Sequence, residues 1–117
     1  MSEEKNGLRM STALQHFMTA RESDKRSDLT LTNQRWQLEL FIKWLEEDHK
    51  VIYVDELQII HLRGWIVYLQ KRPAQRGGKL NDRTVRIYGQ TMLTFCHWME
   101  YEELIENMRD LSRFMST

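Results

Sequence analysis

Apolar and polar positions alternate with a helical period along most of this 117-residue chain. Leu14, Phe17 and Met18 recur at that spacing behind Ser11, which predicts a first helix over residues 11–21 with Ser11 as its N-cap. Residues 22–28, ESDKRSD, are polar throughout and predict a connector. Trp36, Leu40, Phe41, Trp44 and Leu45 then form one stripe, widened by Leu38 and Ile42, so the second helix is expected to be central. It runs to about residue 48, with Thr30 or Thr32 as N-cap, and EEDHK closes it without a glycine stop. Leu57, Ile60, Leu62, Trp65, Ile66 and Leu69 mark a third helix over residues 55–71, capped by Asp55 and stopped by Pro73. Ile52, Tyr53 and Val54 just before it are extended in character, but three residues make no sheet. Asn81 or Asp82 caps a fourth helix reaching about residue 100. A short fifth helix over residues 103–114 carries Leu104, Ile105, Met108, Leu111 and Phe114. The expected fold class is all-α, a bundle of four main helices plus a short C-terminal one.

The fourth helix separates two kinds of residue. At ~100° per residue, Val85, Tyr88, Met92, Phe95, Cys96 and Met99 fall within one arc, while Arg83, Arg86, Gln90, Thr94 and His97 fall on the opposite one. Ile87, Leu93 and Trp98 do not obey this split and are expected to be covered by neighbouring elements.

Composition bounds the class. A hydrophobic fraction of 41% with four Trp, four Phe and four Tyr argues for one packed domain rather than a disordered chain. There is no internal repeat. The single cysteine, Cys96, excludes an internal disulfide and fits a reducing compartment. MSEEKNG has no apolar signal segment, and no apolar run reaches membrane-spanning length, so a soluble cytoplasmic protein without a membrane partner is expected.

Charge changes the picture more. The chain is neutral overall, yet between Leu57 and Gln90 seven Lys/Arg (Arg63, Lys71, Arg72, Arg76, Lys79, Arg83, Arg86) face one acid, Asp82, a net of +6. The remainder therefore carries −6. Segregation of this kind gives the molecule an electrostatic face, and the commonest partner of a basic face is a phosphate backbone. Arg83, Arg86 and Gln90 on the solvent arc are candidate contacts, or else an ordinary solvated face. Arg76, Lys79 and Asn81, on or beside the Gly77-Gly78 turn before the helix, either seat a phosphate at the helix N-terminus or belong to a simple flexible turn. The Thr84 hydroxyl meets a phosphate or caps backbone. GGKLND lacks the P-loop arrangement and the strand that precedes one.

Other chemistry finds little support. Cys96 and His97 are adjacent on a helix and point ~100° apart, which disfavours a nucleophile–base pair and favours a buried thiol. Four scattered histidines and one cysteine give no metal-ligand spacing, and no cofactor or small-molecule substrate is indicated. Trp36, Trp44 and Trp65 are expected in the core. Arg21, Lys25 and Arg26 are interleaved with acids and fit a solvated connector, and Glu100, Glu102, Glu103 and Glu106 form an acidic end.

Several stretches, in order, follow the pattern of one family. Phe41-Ile42-Lys43-Trp44-Leu45 closes one helix, and Leu57, Leu62, Trp65-Ile66 and Leu69 make the next. Gly77-Gly78-Lys79-Leu80 leads to Thr84-Val85, Phe95-Cys96-His97-Trp98 ends that helix, and Leu104-Ile105-Glu106-Asn107 closes the pattern. Over roughly residues 11–108 the chain resembles the N-terminal core-binding (SAM-like) domain of tyrosine recombinases, the phage-integrase family. The proline that usually follows the closing Asn is Met108 here. Residues 1–10 are expected to be a flexible N-terminus. The resemblance implies a DNA-binding domain over 11–108, and over 109–117 the start of a linker to an absent catalytic domain. It also implies that the helix opened by Thr32, Asn33 and Arg35 faces double-stranded DNA, and that other recombinase protomers are partners on it. Thr32 and its neighbours serve equally as ordinary capping chemistry. Strand exchange in the family needs a His-x-x-Arg motif, but His16, His49, His61 and His97 are followed three residues on by Thr, Ile, Gly and Glu. The expectation is a DNA clamp with no catalysis of its own. The rival is a helical protein–protein interaction module, favoured by the neutral net charge and the acidic end. A small helix-turn-helix regulator lacks its turn glycine.

Overall fold

The computed structural model describes residues 7–72, 78 and 80–106. Four helices account for most of them: α1 (Met10–Ser23), α2 (Asp28–His49), α3 (Ile59–Lys71) and α4 (Asp82–Tyr101), with one 3-10 turn at Val54–Glu56. The all-α bundle expected from the pattern is the fold observed. Residues 102–106 form turns and bends where a fifth helix was expected to begin, and the rest of that segment lies outside the described residues.

Local chemistry sets each start. Ser11 lies inside α1 rather than capping it, and no side chain caps Arg9 at its N-terminus. Backbone pairing does that work: Met10 N–H donates to the Ile52 carbonyl and Val54 N–H to the Leu8 carbonyl, each at 2.8 Å. The extended residues 52–54 thus find a partner, an isolated antiparallel bridge between Arg9 and Tyr53, with the Arg9 guanidinium 5.6 Å from the Tyr53 ring centre. α2 starts earlier than expected because Ser27, not Thr30 or Thr32, is its cap; the Ser27 Oγ accepts from Thr30 N–H at 3.1 Å. Lys50, at φ 57°, supplies the left-handed residue that ends α2, and Val51 N–H returns to the Leu45 carbonyl at 3.0 Å.

Asp55 does not cap α3. It lies in the 3-10 turn, and Gln58 begins α3, its N–H donating to His61 Nδ1 at 3.0 Å. Just upstream, Glu56 Oε1 accepts from Ile52 N–H at 2.8 Å and Tyr53 N–H at 3.0 Å. Asn81 caps α4 by accepting from Thr84 N–H at 2.8 Å.

α2 and α4 each pack against the other three helices, which makes both central. Phe17, Phe41, Trp65, Phe95, Leu38, Leu45, Leu62, Leu69, Met92 and Met99 are fully buried between them. Trp65 lies 5.4 Å from both the Phe41 and Trp44 ring centres, and Phe17 lies 5.2 Å from Phe95. Gly64 marks a close α2–α3 approach: a Cβ there would lie 3.2 Å from the Trp44 ring, which would have to give by a few tenths of an ångström. Two expected core residues are outside. Trp36 is 49% exposed and Ile60 66% exposed. Each sits two positions before a buried leucine, Leu38 or Leu62, and so ~200° around its helix from it. No helix among the described residues is long and apolar enough to cross a membrane.

Candidate nucleic-acid interface

The end of α3 and the start of α4 are held together at the base of their connection, where Leu80 N–H donates to the Arg72 carbonyl at 3.3 Å. Gly78 there has φ 72°, a backbone region that other residues enter at a cost. Arg76 and Lys79 fall outside the described residues. The described part of the basic region is the stretch from Lys71 to Arg72 and the first three turns of α4.

On α4, Arg83, Arg86, Gln90 and His97 are all exposed, as the helical arithmetic requires, and Val85, Met92, Phe95, Cys96 and Met99 are buried opposite them. No carboxylate of the described residues forms an ion pair with Lys71, Arg72, Arg83 or Arg86. These cations are unspent. Thr94 differs from its neighbours on this arc: it is half-buried and its hydroxyl donates to the Gln90 carbonyl at 2.9 Å. Asn81 is exposed, but its side-chain oxygen is committed to the cap, which leaves only its amide N–H groups to face outward. Thr84 is half-buried; its N–H is taken by Asn81, while its hydroxyl has no hydrogen-bond partner among the described residues.

α2 reaches the same region through Trp36, whose ring packs edge-on against Tyr88 of α4 with centroids 6.0 Å apart. Burial raises the Tyr88 phenol pKa, and the positive charge of Arg72 pulls it the other way, so the end of α3 is electrostatically close to this pair. Thr32, Asn33 and Arg35 are all exposed. Around the helix Thr32 and Asn33 lie ~40° and ~60° to either side of Trp36, and Arg35 lies ~100° from it, on the side of Thr32. Thr32 and Asn33 flank the residue that touches α4, and Arg35 lies farther around the helix from it.

Arg72, Trp36 and Ile87 belong to this surface and were not among the candidates. Arg72 was legible as part of the basic run. Trp36 was expected in the core because a large apolar ring is usually buried, yet it is exposed. Ile87 was expected to be covered and is 44% exposed, whereas Leu93 is buried and Trp98 packs 5.5 Å from the Phe17 ring centre.

The remaining sequence candidates resolve into structure. Cys96 is buried, and burial together with the charge of Glu100 raises its thiol pKa well above the ordinary value. His97 Nδ1 lies 3.5 Å from Glu100 Oε1 instead of engaging the thiol. Arg21 Nε donates to Gln34 Oε1 at 3.2 Å and its guanidinium covers the Phe17 ring at 5.3 Å, so it joins α1 to α2. Among the described residues no three His, Cys, Asp or Glu are grouped to hold a metal ion.

No family model matches the chain, and no curated protein matches it. Among solved structures, the N-terminal domain of a phage integrase/site-specific recombinase from Haloarcula marismortui superimposes with a TM-score of 0.72 at 18% sequence identity, covering 89% of this chain and 93% of that one. The arrangement of four helices described above is thus the fold of that recombinase N-terminal domain, as the order of motifs in the sequence implied.

Proposed function

We propose that this chain is the DNA-binding, core-site recognition domain of a site-specific tyrosine recombinase or integrase. The observation that carries the reading is the stripe of exposed Arg83, Arg86 and Gln90, with no carboxylate of the described residues paired to either guanidinium. Arg83 and Arg86, helped by Arg72 and the loop cations Arg76 and Lys79, neutralise backbone phosphates and release counterions. Gln90 and the amide of Asn81 on one helix, with Thr32 and Asn33 on the other, lie where side chains can reach base edges in a groove. Thr84 adds a free hydroxyl for a phosphate oxygen. Strand cleavage and rejoining belong to a catalytic domain not found in residues 1–117, and other protomers of the same recombinase assemble beside this one on DNA. The fold shared with a recombinase N-terminal domain supports the assignment.

A second reading, a helical protein–protein interaction module, is favoured by Ile60 and Val67, which lie seven residues apart on α3 and are 66% and 46% exposed. Retention of duplex DNA under a salt titration separates the two. For a DNA clamp, log K falls linearly with log salt, and the Arg83→Ala/Arg86→Ala double variant flattens that slope by about 1.8, at about 0.9 per phosphate contact. An interaction module binds duplex weakly and ignores both substitutions.

A further inference from the structure

Ile87 occupies an unusual place on α4. Its neighbours one turn before are Arg83 and the half-buried Thr84, and one turn after, Gln90 and the buried Thr91, so on the exposed side of the helix this apolar side chain is flanked by Arg83 and Gln90. It is 44% exposed, and no other apolar side chain shares the solvent arc of Arg83, Arg86 and Gln90 among the described residues of this helix's first three turns. Helix formation does not call for it, because a β-branched residue at an exposed helical position is inferior to Ala, Leu or Lys. A protein partner does not fit it well either: such partners need a contiguous apolar area, and along this helix the exposed one-turn neighbours of Ile87 are Arg83 and Gln90. What matches its size is a single methyl group. The floor of the DNA major groove offers one, the C5-methyl of thymine, flanked by base-edge acceptors and donors suited to Arg and Gln.

We propose that Ile87 is a specificity-determining residue that reads a thymine C5-methyl in the major groove. The inference rests on the DNA-binding reading above and adds which base feature the α4 stripe selects. The Arg83 and Arg86 guanidinium groups hold the helix against the phosphates, and Ile87, ~40° from Arg83 and ~60° from Gln90 around the helix, faces the same duplex.

Deoxyuridine is the test, since it differs from thymidine only by that methyl. Binding-site selection with the chain supplies a preferred duplex, and each thymine in it is replaced in turn by deoxyuridine. At one position the replacement is expected to weaken binding about fourfold, the equivalent of ~0.8 kcal/mol for one buried methyl-sized group. Ile87→Ala, which keeps a good helix former at an exposed site, should bind the thymine duplex about as weakly and be indifferent to that replacement. The inference is overturned if the selected site fixes no thymine, if the unaltered chain is insensitive to deoxyuridine at every position, or if Ile87→Ala retains the sensitivity. Salt-dependent binding that fails these criteria leaves the DNA-binding role intact, whereas absence of any salt-dependent duplex binding overturns that role and this inference with it.

Discussion

The two ends of α3 use their polar groups in opposite ways. Around its start, Glu56 accepts two backbone N–H groups, His61 accepts a third, and the segment before them pairs with the residues leading into α1. Polar side chains there are spent on the fold. Around its end, Lys71 and Arg72, together with Arg83 and Arg86 at the adjoining start of α4, have no carboxylate partner among the described residues. A charge left unpaired on the surface contributes little to folding, because water and salt screen it. Such charges are free to act on something outside the molecule. That contrast, more than the count of basic residues, locates the candidate interface.

The contrast assumes one rigid element beneath both ends, and Trp65 is the residue that makes it so. Its ring is fully buried against Phe41, Trp44 and Tyr68 midway along α3. Trp65→Ala should cost about 3–5 kcal/mol of stability, read from chemical denaturation. An unchanged denaturation midpoint would mean that the ends of α3 are not coupled through this packing. The Arg83→Ala/Arg86→Ala variant should instead leave stability within about 0.5 kcal/mol of the parent while it weakens DNA binding.

Asn81 sharpens the comparison because it lies at the binding end yet is spent internally. Its side-chain oxygen caps α4, so Asn81→Ala should cost about 1 kcal/mol in the same denaturation assay. Asn81→Asp keeps an acceptor for Thr84 N–H and should restore stability while placing an anion beside the phosphates. A variant that regains stability but binds DNA less well than the parent separates the two roles of this position.

Much of this was legible in the sequence, for physical reasons that can be named. The four stripes are set by periodicity alone, and Asn81 was readable as a cap because it stands directly before a run with a clear apolar arc. Ser27 was not, because ESDKRSD holds several cap-competent residues and the first turn of α2 precedes its first buried position. Residues 52–54 were readable as extended, but their partner near Arg9 lies more than 40 residues away, and no local pattern encodes a non-local pairing. The Arg83, Arg86 and Gln90 stripe followed from the spacing within α4. The exposure of Ile87 and Trp36 did not, since what covers the flank of a helix depends on where its neighbours dock. Arg35 shows the same limit: of the three polar candidates on α2 it lies farthest around the helix from Trp36, the residue that meets α4.

The internally spent end should also respond to pH. Glu56 has its pKa lowered, first by the Tyr53 N–H bond and then by that of Ile52, because both favour the carboxylate. His61 has its pKa lowered mainly by burial and secondarily by His49, whose ring lies 5.5 Å away. In both cases the unfolded chain takes up protons before the folded one does. Stability is therefore fully present above the unfolded values and declines as pH falls through them toward the folded ones. The expected denaturation midpoint is flat around neutrality, begins to fall below about 6.5 as His61 is stressed, and falls again below about 4.5 as Glu56 is. His61→Gln keeps an acceptor for the Gln58 N–H without a titrating ring, so it should abolish the first decline and leave the second. Glu56→Gln should do the reverse. If neither substitution changes the profile, the start of α3 is not held by these side chains, and its contrast with the unspent cations at the other end loses its basis.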